Sequence, residues 1–307
     1  MKAYYSDHFV LPLPTGHRFP MAKYKMLRDS IVILPNLELL EAPRATDSEI
    51  LYAHDASYLQ RVIAGKLSEA EQKEIGFPWS EKMVERSRRS AGATIAACKT
   101  ALIEGVSANL AGGTHHAYRN RGSGFCVFND AAIAARVILK DSIAQERGIQ
   151  KIGILDLDVH QGDGTASILR NDVSICTVSI HGEKNYPFEK EESGLDIALP
   201  DGSGDETYLI ALDRALEYLD HQKVQFLVYL AGADPFYKDR LGRLKLSEEG
   251  IALRDQRVID YVRERKIPLA MAMAGGYSNP IEETVKIHRK SIMIALNYQN
   301  AIASLRT

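Results

Sequence analysis

The stretch that decides the fold covers residues 151–164 and reads KIGILDLDVHQGDG. Residues 152–158 are almost continuously apolar, which is typical of a strand that is buried on both faces of a parallel sheet. The residues that follow are acidic or polar side chains, a histidine and glycines, as expected where a strand ends in a turn. A second run, VQFLVYLAG at residues 224–232, has the same apolar character. We therefore expect two central strands whose ends carry polar groups.

Short apolar segments alternate with longer helical segments on both sides of this stretch. The Ala-rich residues 81–104 have high helix propensity, Gly105 is a plausible stop, and a terminal helix is expected from Pro280. This alternation predicts an α/β fold with a central, mostly parallel sheet and helices on both faces. Because no internal repeat or linker interrupts the pattern, we predict a single domain over residues 1–307.

Composition and charge exclude several classes of protein. The chain is 45% hydrophobic with a formal net charge of −2, so it lacks the basic excess of a dedicated nucleic-acid binder. Cys98, Cys126 and Cys176 have no short repeated spacing, which argues against a thiolate zinc site or a disulfide framework. The N-terminal residues lack a secretion signal, and no apolar run is long enough to span a bilayer. We expect a cytoplasmic protein without nucleic-acid or membrane partners.

Residues capable of chemistry follow four of the predicted strands. They are His115 and His116 after SANLAGG, Asp156, Asp158, His160 and Asp163 in or after IGILDLD, Asp234 after VQFLVYLAG, and Tyr277 after IPLAMAMAGG. Ligands of such sheets bind outside the carboxyl ends of the strands, so these side chains are expected to converge. A lone Asp at a strand end is more often a structural turn residue than a catalytic one. Four such ends together favour a functional site.

Asp158, His160 and Asp234 form a candidate metal site. Asp158 and His160 are two positions apart, so in an extended segment their side chains point to the same side. With Asp234 from a neighbouring strand, they would leave a coordination position open, as a catalytic metal requires. Zn²⁺ suits these ligands, and Fe²⁺ or Co²⁺ would also. For the first two residues alone, a loop of solvated turn residues explains the pattern equally well.

Asp156 and Asp163 remain to orient imidazoles, and His115 and His116 are the available partners. The alternative for the two histidines is a helix-entry turn with one buried and one exposed ring. Tyr277 could be an aromatic residue of the core, which is the commoner role. Its position directly after two glycines favours a hydroxyl that projects into the cleft.

Six ordered motifs resemble those of the histone deacetylase family, which includes acetoin-utilisation proteins and acetylpolyamine amidohydrolases. The motifs are GGTHHA, GSGFCVFND, DLDVHQGDG, VSIH, AGADPF and AGGY. The resemblance covers most of the chain, and DRLGRLKLSEEGIALRD looks closest to the class IV branch in bacteria. It implies an arginase/deacetylase-like fold with about eight strands.

The resemblance also implies a role for each residue of the site. Asp158, His160 and Asp234 would bind the catalytic metal, Zn²⁺ or alternatively Fe²⁺. The implied catalytic groups are the pair His115 and His116, their partners Asp156 and Asp163, and Tyr277, which would polarise the carbonyl. The implied substrate channel comprises Gly124, Phe125 and Tyr186. The implied site for a structural K⁺ comprises Asp156, Asp158, His160, Ser179 and Ile180.

The implied function is a zinc-dependent amidohydrolase that removes the acyl group from acetyl-lysine in a protein or peptide. Acetylpolyamine and long-chain acyl-lysine are alternative substrates. An arginase-like ureohydrolase would need two metal ions, and a non-catalytic acyl-lysine binding module could dispense with the histidine pair. Gln161 departs from the family, since many members have a second histidine there, which leaves branch and substrate open.

Overall fold

One sheet of eight strands runs through residues 1–304, the part of the chain that this computed structural model describes. The strands are β1 (Lys2–Tyr5), β2 (Glu38–Glu41), β3 (Val106–Asn109), β4 (Ile152–Asp156), β5 (Ile175–Gly182), β6 (Leu195–Leu199), β7 (Phe226–Leu230) and β8 (Leu269–Ala272). Their order is β2-β1-β3-β8-β7-β4-β5-β6, and every neighbouring pair is parallel. The predicted fold class is confirmed. The predicted domain extends to residue 307, and its last three residues lie outside the described range.

Helices connect the strands. They are α1 (Ala22–Ile31), α2 (Asp47–Ile50), α3 (Ala56–Ile63), α4 (Glu69–Ile75), α5 (Glu81–Glu104), α6 (Asp130–Leu139), α7 (Ser142–Glu146), α8 (Asp163–Leu169), α9 (Asp205–His221), α10 (Glu248–Arg265) and α11 (Glu282–Ser304). The predicted helix over residues 81–104 is confirmed: the Ser80 side chain accepts a hydrogen bond from the backbone of Met83 at its start, and Gly105 ends it with φ 109°. Among the described residues, no helix is long and apolar enough to cross a membrane.

The two faces of the sheet have separate hydrophobic cores. Along β4 and β7, Ile154 and Val228 belong to one core, whereas Leu155 and Tyr229 belong to the other. This alternation follows from the period of two in a strand. Helices α5 and α6 contribute to the first core, and α9, α10 and α11 contribute to the second. The sheet is therefore covered by helices on both faces, and its central strands are buried throughout.

The parallel register brings four strand ends to one edge. Asp156 at the end of β4 lies beside Leu230 of β7, and Leu230 lies beside Ala272 of β8. Ala272 in turn pairs with Asn109, the last residue of β3. The loops after β3, β4, β7 and β8 therefore leave the sheet side by side. They are the four loops that carry the predicted metal ligands, the histidine pair and Tyr277, and the loop after β4 leads to Asp163, the first residue of α8.

Asn129 ties the loop after β3 to helices α6 and α8. Its side-chain oxygen accepts a hydrogen bond from the backbone of Ala132 and caps α6. Its amide nitrogen donates to the carbonyls of His115 (3.3 Å) and Ala117 (3.1 Å) and to the Thr165 hydroxyl (3.0 Å). Because Asn129 is fully buried, these bonds are shielded from water. They fix the histidine loop relative to α6 and α8.

Candidate active site

Asp158, His160 and Asp234 meet beyond the ends of β4 and β7. All three are buried, and one ligand atom from each lies within 4.8 Å of the others. His160 Nδ1 is 2.9 Å from Asp158 Oδ1 and 3.4 Å from Asp234 Oδ2. Two carboxylates and one imidazole at these separations could hold one metal ion.

The hydrogen bonds of the two carboxylates leave one oxygen unpartnered. Asp234 Oδ1 accepts from the backbone nitrogen of Val159 (2.9 Å), and Asp158 Oδ2 accepts from that of Gly275 (2.8 Å). Within the described residues, Asp234 Oδ2 is buried and has no hydrogen-bond partner. Such an atom is costly unless a cation compensates it. The donor set therefore fits a divalent metal ion.

Gly275 is required for this close packing. A Cβ at this position would lie 2.0 Å from Asp234 Oδ2 and 2.4 Å from Asp158 Oδ2. Only glycine lets the backbone after β8 approach both carboxylates and donate its N–H to one of them.

Electrostatics within the cluster favour a bound cation. Burial and the neighbouring Asp158 carboxylate raise the pKa of Asp234 to about 7. Burial disfavours the charged ring of His160, but its hydrogen bond to Asp158 and the negative charges of Asp158 and Asp234 outweigh this and raise its pKa to about 10. Two buried carboxylates thus repel each other and draw positive charge to the space between them.

His115 and His116 extend from the loop after β3, and each is held by its own carboxylate. His115 Nδ1 is 2.6 Å from Asp156 Oδ2, and His116 Nδ1 is 2.6 Å from Asp163 Oδ1. The ring centroids of the two histidines are 4.2 Å apart. In both rings the pairing leaves Nε2 as the nitrogen that can meet a ligand.

The surroundings of the two rings separate their charge states. Burial opposes a charge on His115, but Asp156 and Asp158 outweigh it and raise its pKa to about 9. Burial and the charge on His115 together lower the pKa of His116 to about 4. At neutral pH the ring of His115 is therefore positively charged, whereas the ring of His116 is neutral and can accept a proton.

Tyr277 follows β8 and lines the same cavity. Its backbone nitrogen donates to Asp239 Oδ2 (2.6 Å), and its carbonyl accepts from Arg240 Nε (3.0 Å). Burial and the nearby Asp158 raise the pKa of its phenol well above the usual value. Its hydroxyl therefore stays protonated and is able to donate a hydrogen bond.

A cavity of ≈ 430 Å³ leads from the surface to these groups. Gly124, Phe125 and Tyr186 line it, as do His115, His116, Asp158, His160 and Tyr277. Its size lies within the range of small-molecule sites. Tyr186 packs edge-on against His116 with ring centroids 4.9 Å apart, and its hydroxyl is 2.5 Å from that of Ser123.

Gly124 allows the channel wall to pass close to the histidine. Its φ is 49°, and a Cβ there would lie 2.6 Å from the ring of His116. Phe125 also has positive φ, 68°, and stacks on Phe77 at 5.3 Å. The wall is thus an aromatic surface held by an unusual backbone turn.

Gln161 lies next to the metal loop but faces away from the cavity. It is fully buried, and its amide donates to the carbonyl of Glu191 (2.7 Å) and to Asp196 Oδ1 (2.8 Å). Its side-chain oxygen accepts from the backbone of Glu191 (2.9 Å). This departure from the family pattern fastens the segment that leads into β6.

Two residues near Tyr277 were missing from the sequence-based site. Lys23 on α1 is buried; its Nζ donates to the carbonyls of Ala274 (3.4 Å) and Gly276 (3.2 Å) and lies 5.0 Å from the centre of the Tyr277 ring. Asp239 holds the backbone of Tyr277, as described above. Lys23 is 251 residues away from Ala274 in the chain, and nothing local in the sequence signals this contact.

Comparisons with known proteins agree with this architecture. The family model of the histone deacetylase domain matches residues 17–291. An uncharacterized protein of Picosynechococcus is 40% identical over 92% of this chain and 94% of its own length. Histone deacetylase 2 of Arabidopsis thaliana is 30% identical over 85% of this chain and 70% of its own length.

Among solved structures, an acetylpolyamine aminohydrolase from Burkholderia pseudomallei has a TM-score of 0.77. It is 20% identical and covers 96% of this chain and 98% of its own, so this likeness shows the fold alone. The matched family model and the identity to relatives confirm the resemblance that the six motifs predicted. The chain belongs to the histone deacetylase family.

Proposed function

We propose that this chain is a zinc-dependent deacylase that hydrolyses the amide of acetyl-lysine in a protein or peptide. One observation supports this most directly: two of the three candidate metal ligands, a histidine pair and a phenol line a single cavity, and the third ligand, Asp234, is clustered with the other two. Metal-assisted amide hydrolysis needs these three kinds of group within reach of one carbonyl.

Asp158, His160 and Asp234 would hold the metal ion, because their donor atoms are clustered and one buried oxygen has no hydrogen-bond partner among the described residues. When bound, a divalent cation would supply Lewis-acid polarisation of the amide carbonyl and of a water molecule. Zn²⁺ suits two carboxylates and an imidazole, and Fe²⁺ is the alternative.

The histidine pair would divide the proton chemistry. His116, neutral and facing the cavity through Nε2, would accept the proton of the attacking water and return it to the leaving amine. His115, protonated beside Asp156, would stabilise developing negative charge without transferring a proton. Asp163 would keep His116 oriented, with the Tyr118 hydroxyl donating to its second oxygen (3.1 Å).

The Tyr277 hydroxyl would donate a hydrogen bond to the oxygen of the tetrahedral intermediate. Lys23 and Asp239 both bind the peptide group between Gly276 and Tyr277, so the backbone that carries the phenol is held in place before substrate arrives. Phe125 and Tyr186 would enclose the methylene chain of the acylated lysine, for which apolar ring faces are suitable.

A structural K⁺ would lie between β4 and β5. Asp156 and Ser179 are direct neighbours in the parallel register of these strands, with Ile180 next along β5. Carboxylate, hydroxyl and carbonyl oxygens are ligands that hard cations prefer. The remaining groups, Asp158 and His160, follow β4 and would contribute from the same loop.

Two other functions fit less well. A ureohydrolase needs two metal ions, and residues 1–304 contain one suitable cluster. A binding module would not need the two His–Asp pairs, and both are assembled here with 2.6 Å contacts. Acetylpolyamines and long-chain acyl-lysines use the same chemistry and remain competing substrates within the proposed activity.

The metal requirement has a direct test. We expect chelator-treated protein to lose the release of acetate from an acetyl-lysine peptide, and addition of Zn²⁺ or Fe²⁺ to restore it at one catalytic equivalent per chain. Acetate release and bound metal are measured on the same samples, with acetylated polyamines and longer acyl-lysine peptides as competing substrates. Full turnover by metal-free protein would contradict the proposal, and a requirement for two equivalents would favour the ureohydrolase.

Removing the phenol hydroxyl should affect turnover and little else. For Tyr277→Phe we expect kcat to fall by about a hundredfold or more, because one oxyanion donor is lost. Metal content and thermal stability should stay near those of the parent. Tyr261→Phe is the matched control, since it removes another phenol hydroxyl, on α10 and away from the cavity lining. Equal loss in both variants, or none in Tyr277→Phe, would refute the assigned role.

The two histidines should titrate in a fixed order. We expect the ring of His116 to stay neutral as pH falls from 7 to 5.5, because burial and the charge on His115 lower its pKa to about 4. His115 should take up its proton at a higher pH than His116. Nitrogen-15 NMR of histidine-labelled protein, assigned with His116→Gln, measures both. A His116 midpoint at or above 6.5, or the reverse order, would overturn the division of roles.

A further inference from the structure

The mouth of the cavity is rich in positive charge. Its lining includes four cationic side chains, from the loop before α1, from α4, from the loop after β5 and from the loop before α10. They are Arg18, Lys73, Lys184 and Arg243, which we call the mouth cations. All four are exposed. Glu74 is the one exposed acidic residue of this lining within the part of the chain that the structure describes.

Most of this positive charge is not neutralised by neighbouring carboxylates. Arg243 pairs with Asp201 at 3.1 Å. Glu74 is itself engaged at 3.1 Å by Arg121, which is not a lining residue. Over residues 1–304, the other three mouth cations form no ion pair within 4.0 Å, so their charges stay available to a ligand.

The acidic residues nearest in sequence do not reverse this balance. Glu183 and Glu189 belong to the same loop as Lys184, but neither lines the cavity. On the cavity floor, the Asp158 carboxylate is already engaged by His160. The whole chain has a formal net charge of −2, so the mouth differs in sign from the protein around it.

The segments that carry these charges are attached to the channel wall. The backbone nitrogen of Gly124 donates to the Glu74 carbonyl (3.1 Å), and that of Phe125 donates to the Ile75 carbonyl (2.7 Å). The Arg243 backbone nitrogen donates to the side chain of Asn185 (3.1 Å). These bonds hold the backbone next to Lys73 and that of Arg243 at the entrance of the cavity.

A second loop element is fixed in the same way. Lys190 Nζ donates to the carbonyl of Asn185 (2.7 Å) and to that of Pro187. Its ammonium group is therefore bound to the backbone of its own loop. Phe188, which lies between Pro187 and Lys190 in the chain, lines the mouth and is 84% exposed. The entrance thus offers an apolar ring among cations, which suits a peptide chain better than a polycation.

We propose that the mouth cations select acyl-lysine within an acidic peptide segment and disfavour acetylated polyamines, whose remaining amines are protonated. This inference rests on the proposed deacylase function and specifies its substrate class. Acyl-lysine itself is uncharged, so the charges of the flanking residues decide how the mouth responds. Complementary charge at an entrance raises the association rate and is screened by salt.

The test compares acetyl-lysine peptides of equal length that differ only in their flanking residues. One has Asp or Glu on both sides, one has Ser, one has Lys, and N-acetylspermidine represents the polyamines. On the metal-loaded protein at low salt, we expect kcat/KM for the acidic peptide to exceed that for the basic peptide by about tenfold or more. The difference should shrink at high ionic strength.

Charge reversal identifies the residues responsible. In the double variant Lys73→Glu/Lys184→Glu, the ratio of kcat/KM for the acidic peptide to kcat/KM for the basic peptide should fall to about one or below. Lys184→Glu with Lys290→Glu adds the same net charge but reverses only one mouth cation, because Lys290 is exposed on α11 and outside the lining. Its effect should be clearly smaller. Lys290→Glu alone should leave the ratio unchanged.

Binding distinguishes failure of the inference from failure of the proposed function. Fluorescence anisotropy measures Kd for labelled versions of the same peptides, and this measurement does not depend on turnover. If the peptides are turned over with equal kcat/KM whatever their flanking residues, or if the basic peptide or the polyamine is preferred, the inference is wrong. The proposed deacylase function would still hold in that case. If no substrate is turned over, the proposed function fails, and equal Kd values for acidic and basic peptides would overturn the inference as well.

Discussion

The arrangement of this site depends on burying two carboxylates and an imidazole within 4.8 Å of one another. Placing two negative charges together in a poorly solvated space is unfavourable unless positive charge or hydrogen-bond donors offset it. Backbone N–H groups bind both oxygens of Asp158 and one oxygen of Asp234, but Asp234 Oδ2 has no hydrogen-bond partner in the described structure. Bound positive charge is the most direct compensation. Gly275, which passes close to both carboxylates, shows that the backbone is shaped around the cluster.

The surrounding groups follow from the same electrostatic constraint. Negative charge at the cluster and at Asp156 keeps His115 protonated, and that charge in turn helps to keep His116 neutral. Two adjacent histidines of the same loop therefore acquire different capabilities. Further from the metal ligands, the charge of the lining becomes positive, because the mouth cations surround the entrance. The site is thus layered in charge from the floor of the cavity to its mouth.

Much of the fold was predictable from local pattern. The apolar runs at residues 152–158 and 224–232 are central strands, and the helix over residues 81–104 has the predicted limits. The convergence of the strand-end residues follows from parallel topology, because all carboxyl ends of such a sheet face the same way. Lys23, Asp239 and the mouth cations were not predictable, since their positions depend on loop paths and on contacts between distant segments. The direction in which Gln161 points is likewise set by the loop before β6 and not by its own neighbours in the chain.

We expect one divalent cation to bind between Asp158, His160 and Asp234. X-ray diffraction from crystals grown with Zn²⁺, measured on both sides of the zinc absorption edge, locates such an ion without reference to activity. One strong anomalous peak is expected among these three side chains, in contact with Asp234 Oδ2. A peak elsewhere in the cavity, or no peak there at full zinc occupancy, would contradict this expectation.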